Sequence, residues 1–235
     1  MRDNVVKMFP KYKSKVVTIP LGVERDLFEN VSMQEIHRVR KQFSIKDSTY
    51  LMLYVRSFIP NSNQDKIIKA LSHLDKGLNY KLILHNSREN PEYESYLYRL
   101  IDKYNLEDRV QISHSYLNNL ELRALFKSAN LSFSITRNEQ FSRTVSETIL
   151  SDTNLILSDI EPYRYLIRNF NFNVDLVDVT NIENFAGLLK KYIENPVIPD
   201  YTEEKKIIKD LFDFESKFDE FLDIYQNLIN DANKN

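Results

Sequence analysis

Two carboxylates, Glu139 and Glu147, stand on either side of the triplet Ser142-Arg143-Thr144, where a polar loop gives way to a short helix. An ionised carboxylate accepts hydrogen bonds from several hydroxyls at once. Backbone amides at a helix start are unsatisfied donors, and an anion placed beyond the helix end complements them. Acids for hydroxyls beside amides for phosphate suit a nucleotide-sugar. Ser142 reads as the N-cap, a position that favours its side-chain type.

The elements that must hold these groups follow from the flanking residues. The spacing predicts a strand over 131–135, a loop over 136–142, a helix over 143–150, a strand over 154–157 and a helix from about Glu161. In an open α/β sheet, ligands bind at the carboxyl ends of the strands, where this loop and helix start would lie. The rest of the chain keeps the same rhythm. Thr49–Val55 (TYLMLYV) is a continuous apolar run, the pattern of a strand buried on both faces of a parallel sheet. Further strands are expected over 80–84, 110–113 and 173–176, and a short one at the start of Lys15–Phe28, before a Pro20–Gly22 turn and a helix start. Helices are expected over 32–42, with Ser32 and Glu35 as a capping box, and over 65–74, 92–104, 118–128 and 182–193. Residues 1–15 read as a frayed helix end, and Pro196–Pro199 sets off two final helices, 203–213 and 215–230. The expected fold is α/β, a Rossmann-like doubly wound parallel sheet of about six strands flanked by helices, with a C-terminal helical extension. The expected divisions are a linker-like segment 1–28, a binding domain 29–199 and C-terminal helices 200–235.

Composition removes several classes of function. A net charge of −2 gives no basic face for nucleic acid. With no cysteine, there are no disulfides, zinc thiolates or cysteine nucleophiles. No Asp-x-Asp pair or helical histidine pair appears, so no metal is expected. No apolar run approaches the ~18 residues of a spanning helix, and the charged N-terminus does not resemble a signal peptide. Only three glycines occur, at 22, 77 and 187, although phosphate-cradling loops usually depend on this residue.

The Glu139/Glu147 pair, followed by an apolar helix, a small polar turn and a strand, resembles the acidic signature of retaining GT-B glycosyltransferases. The resemblance is to the C-terminal, donor-binding half of the group 1 (family 4) enzymes, and it runs from about Val16 to Ile229. KVVTIPLGVERDLF resembles the family's interdomain linker, and Asn105–Val110 its usual entry into the third strand. The resemblance implies that Glu139 meets the donor sugar, that Glu147 meets the ribose, and that the helix start at Ser142, Arg143 and Thr144 holds the diphosphate. It also implies that the acceptor half lies outside this chain, and that the last helix exposes an apolar face needing a partner or a second copy.

The first loop departs from the family pattern. A Gly-Arg pair and a later lysine normally neutralise the diphosphate; here the aligned residues are Arg56, Ser57 and Ser62. Two readings stand. Arg56 substitutes by a one-residue shift with Lys66 reaching in from the helix, or the cationic clamp has been lost. Arg137 and Arg143 are alternative cations, and Gln140 and Ser142 replace the family's glycines. His85–Pro91 replaces a glycine-rich turn, with His85 read as a hydrogen-bonded structural residue. Tyr116 is a candidate to stack on the base, while His37 and His73 read as structural.

The expected activity is transfer of a sugar from a nucleotide-sugar donor to a glycan or lipid-linked acceptor, as in polysaccharide biosynthesis, with Glu139 and Arg56 at the reaction centre. No cofactor is expected beyond the donor substrate, and an isolated chain should transfer nothing. The alternatives are a degenerate, non-catalytic partner subunit and an unrelated nucleotide-binding regulator. The expected setting is the cytoplasm, with at most peripheral contact at the inner membrane face.

Overall fold

The structure, a computed structural model, describes residues 2–19, 22, 30–86, 90–139 and 142–232. Its centre is a six-stranded parallel sheet in the order β3-β2-β1-β4-β5-β6. The strands are β1 (Tyr50–Val55), β2 (Tyr80–His85), β3 (Val110–Ser113), β4 (Leu131–Ser134), β5 (Asn154–Ser158) and β6 (Asp175–Val177). Between them run α3 (Gln64–Leu71), α4 (Pro91–Lys103), α5 (Asn119–Ser128), α6 (Arg143–Leu150) and α7 (Glu161–Phe170). Helices α1 (Arg2–Met8) and α2 (Met33–Gln42) precede the sheet; α8 (Ile182–Glu194), α9 (Thr202–Phe212) and α10 (Phe214–Ala232) follow it.

The unbroken apolar run of β1 follows from its central place. Successive side chains point to opposite faces. Met52 and Tyr54 join one core cluster with Ile67 and Ile68 of α3, Leu97 and Leu100 of α4, and Phe185 and Leu189 of α8. Leu51 and Leu53 join the cluster on the other face, with Val39 of α2, Phe43 just after that helix, and Leu125 and Phe126 of α5. A third cluster packs Val145 and Ile149 of α6 against Leu155 and Leu157 of β5 and Tyr163 of α7. The sheet is therefore covered on both faces, the arrangement an all-parallel sheet requires.

The predicted capping box is present, with both Ser32 and Glu35 making their reciprocal hydrogen bonds. One expected element is not. Residues 16–19 form no strand, and Val17 is 56% exposed. Their β-branched side chains suit a pleated surface, but that preference is realised only against a neighbouring strand. The expected turn at Pro20 and the helix start through Phe28 lie outside the described residues, as does Gln140.

The scarcity of glycine is met mostly by asparagine and aspartate, with Ser44 a further left-handed position. Asn63, Asn105, Asp152 and Asn171 all adopt left-handed backbone angles, with φ of 58°, 53°, 56° and 52°. These two residue types tolerate that region better than other side chains do.

Along α10, Phe214, Phe218, Phe221, Leu222, Tyr225, Leu228 and Ile229 are all exposed. The apolar face expected on the last helix is therefore present. No described helix is long and apolar enough to cross a membrane.

Candidate functional site

The strand order reverses between β1 and β4: the chain leaves β1 towards β2 and β3, then crosses back to β4 on the other side. At such a switch point the loops after the two strands diverge and leave a crevice at their carboxyl ends. The loop after β1 begins with Arg56, and the loop after β4 carries Glu139.

Arg56 and Glu139 meet in that crevice. The guanidinium Nη2 of Arg56 is hydrogen-bonded to Glu139 Oε2, and both side chains are largely shielded from solvent. Arg56 Nη1 donates to Ser142 Oγ at 3.2 Å. Ser142 sits at the N-cap of α6, but its hydroxyl makes no capping bond to the helix. The α6 start thus carries no side-chain cap, and a cation stands beside it. Amide donors and a cation beside them suit an anion, although the charge of Arg56 is here offset by Glu139. Arg56 thus reaches the start of α6 and the loop before it.

The two loops are stitched together below the crevice. Asn63 Nδ2 donates to the carbonyl of Ile135 at 2.7 Å, and Arg137 Nε donates to Asn63 Oδ1 at 3.3 Å. The Arg137 amide donates to Asn61 O at 2.9 Å. Tyr54 Oη donates to Ser62 O at 2.7 Å, and Gln64 Nε2 to Ser57 O at 2.9 Å. Replacing Asn63 by glycine keeps the left-handed backbone accessible but leaves the Ile135 carbonyl buried without its donor. Such a loss costs about 1–3 kcal/mol, read as a lower denaturation midpoint; an unchanged midpoint would refute the role given to Asn63.

Glu147 lies one turn into α6, with its side chain largely but not fully buried. Burial raises its carboxyl pKa above the ordinary value of 4.5, and Arg143 and Arg123 only partly offset this. Arg143 Nη2 stands 3.5 Å from Glu147 Oε1 with a side chain that is mostly exposed, a weak and solvent-screened pairing. An acid kept buried with so little compensation is a mark of functional sites. Thr144, the other residue of the first turn, is buried.

The remaining candidates lie apart from this group. Lys66 Nζ is 3.9 Å from Asp65 Oδ2, so its ion pair is with its own helix. Ser62, where the resemblance expects a lysine, is buried and supplies no charge. Tyr116 is 84% exposed on the loop between β3 and α5. His85 is buried beside Ser113, its Nδ1 3.4 Å from Ser113 Oγ, with its pKa lowered by burial and then by His114, which fits a structural residue. The described residues hold no cluster of three or more His, Asp or Glu side chains able to bind a metal. Sequence reasoning missed Asn63, whose signal is an asparagine at a helix start needing a left-handed residue.

The family model of the group 1 glycosyl transferases matches residues 35–210, well over half of the chain. The chain belongs to this family. Among solved structures, HepE of Anabaena in complex with UDP and glucose is similar at 17% identity and a TM-score of 0.78, covering 92% of this chain and 58% of that one. A glycosyltransferase of Rickettsia africae ESF-5 is similar at 18% identity and a TM-score of 0.78, with 92% and 58% covered. Sucrose-phosphate synthase of Thermosynechococcus elongatus matches at 19% identity and a TM-score of 0.74, covering 97% of this chain and 56% of that one. No curated protein matches in sequence. At these identities the structures establish a shared glycosyltransferase fold, and this group 1 chain spans less than two thirds of each neighbour's length.

Proposed function

We propose that this group 1 glycosyltransferase chain is the donor-binding half of a retaining GT-B enzyme, with 29–199 as the nucleotide-sugar domain. The supporting observation is the convergence of Arg56, Glu139 and Ser142 at the uncapped start of α6, in the crevice between β1 and β4. In this reading the diphosphate lies against the α6 amides and Arg56, Glu139 accepts from donor-sugar hydroxyls, and Glu147 accepts from the ribose. Leaving-group charge is met by Arg56, since developing negative charge is what such a donor stabilises. The HepE complexes with UDP and with UDP-glucose favour a uridine nucleotide.

The acceptor, a glycan or lipid-linked sugar, is held by a further portion corresponding to the part of each neighbour that this chain does not match. The proposed place of contact is α10, through its exposed Phe221, Leu222, Tyr225 and Leu228. A homo-oligomer through the same face is the alternative occupant. Association that rises with concentration, and that Leu222→Glu with Tyr225→Glu abolishes in sedimentation velocity, supports the homo-oligomer. Sedimentation as a monomer throughout leaves the acceptor-side portion.

A second reading, a partner subunit that binds without turnover, is favoured by the uncharged Ser57 and Ser62 in the first loop. Calorimetry with UDP-, GDP- and ADP-glucose tests the site itself. Saturable binding to one of them, lost in Glu139→Ala and Glu147→Ala, is the expected result. No binding across the panel removes the donor reading.

A further inference from the structure

A cavity of about 520 Å³ opens at the same edge of the sheet, between α3 and α4. Its walls include Asp65, Glu92, Tyr93, Tyr96, Arg99 and Arg137, and Pro60 closes it on the side of the first loop. Helices α3 and α4 pack on one face of the sheet and α6 on the other. The lining of the cavity shares no residue with the Arg56–Glu139–Ser142 group, and its Arg137 stands two residues before Glu139. The cavity is distinct from the crevice, and of a size that takes small ligands.

The wall is fixed in place. Tyr93 Oη donates to Asp65 Oδ1 at 3.1 Å, and Lys69 Nζ donates to Asp65 Oδ2 at 2.8 Å. Asp65 is 7% exposed, so this carboxylate is buried, paired and rigid. The rings of Tyr93 and Tyr96 lie tilted with centroids 6.0 Å apart, and the Lys69 ammonium sits over Tyr96 at 5.6 Å. On the rim stand Arg99 of α4 and Arg137, the latter anchored through Nε to Asn63. Aromatic rings offer an apolar wall to the C–H face of a sugar, carboxylates accept from its hydroxyls, and guanidinium groups grip phosphate through paired N–H donors.

We propose that this cavity binds a phosphorylated monosaccharide, with the phosphate held by Arg99 and Arg137 and the sugar ring lying against Tyr93 and Tyr96. Binding here stands independently of the donor reading, because no residue of the Arg56–Glu139–Ser142 group takes part.

Calorimetry on the full chain with glucose 6-phosphate, fructose 6-phosphate and glucose 1-phosphate tests this, with glucose and inorganic phosphate as the partial ligands. The expected result is saturable binding of at least one sugar phosphate, at least about tenfold tighter than either partial ligand. Arg99→Gln, an exposed substitution that leaves the core intact, should weaken it about tenfold, and Tyr96→Ala should weaken it as well. Glu139→Gln should leave sugar-phosphate binding unchanged. No saturation by any of the three, equal affinity for inorganic phosphate, or an unchanged affinity in Arg99→Gln overturns the proposal. Loss of sugar-phosphate binding in Glu139→Gln places the ligand in the crevice and overturns it too. Nucleotide-sugar binding that fails while sugar-phosphate binding holds rejects the donor reading alone.

Discussion

Glu139→Gln is expected to weaken binding of the nucleotide-sugar by about ten- to a hundredfold while weakening the bare nucleoside diphosphate much less. The scale follows from hydrogen bonds to a charged acceptor, about 1.5–3 kcal/mol each, with a factor of ten for every 1.4 kcal/mol. The asymmetry follows from geometry. Glu139 stands in the loop, ahead of the helix start, with its carboxylate turned to Arg56. In the proposed reading a bound diphosphate competes for that guanidinium, and the carboxylate it frees is then available to sugar hydroxyls. Glutamine keeps the shape and loses the charge, so it tests the acceptor role without opening a cavity. Titrations of UDP and UDP-glucose against both proteins measure the difference. Equal losses for the two ligands would move Glu139 from the sugar to the phosphates, and no loss for either would take it out of the site.

Glu147→Gln is expected to make the protein more stable at neutral pH while making it a poorer binder. Burial raises the carboxyl pKa above 4.5 in the folded chain. The folded state therefore holds this proton more tightly than the unfolded one does. Below the unfolded value both states are protonated and the group costs nothing. As pH rises through the raised folded value, ionisation in the interior takes stability away. Glutamine carries no such cost, so the difference in melting temperature between variant and parent should be largest near pH 7–8. It should close as pH falls towards 4.5, the ordinary value. Relieving a poorly paired buried charge is worth roughly 1 kcal/mol or more, a few degrees for a chain of this size. A variant less stable than its parent at pH 8 would show that Arg143 and Arg123 compensate the charge fully.

The strands were legible because burial on both faces writes itself into the chain as an unbroken apolar run, of which Leu51 to Val55 is the clearest. Helix α6 was legible to the residue, since the polar loop before it and the turn after it mark both ends. Val16 to Ile19 misled for the converse reason: their residue types favour a strand wherever a neighbour exists, and the described residues pair none with them. In the site, the acids were visible as a spaced pair, but the reach of Arg56 depends on how two distant loops lie across each other. Asn63 was hidden because its importance lies in a backbone angle. Tyr93, Tyr96 and Arg99 were hidden because on α4 they look like an ordinary amphipathic helix. Only the approach of Asp65, Pro60 and Arg137 from other elements turns their shared side of the helix into a cavity wall.

The return of the chain from β3 to β4 also bears on how the protein is made. Leu51 and Asn130, hydrogen-bonded across the central seam, are 79 residues apart. Closing so long a loop delays their pairing relative to contacts made nearby. A nascent chain that has released β1, β2 and β3 but not β4 presents β1 as an unpaired edge, and β1 is its most apolar strand. Such edges invite pairing with other chains. The crossover that opens the crevice thus also exposes an adhesive margin during synthesis, which docking of β4 covers.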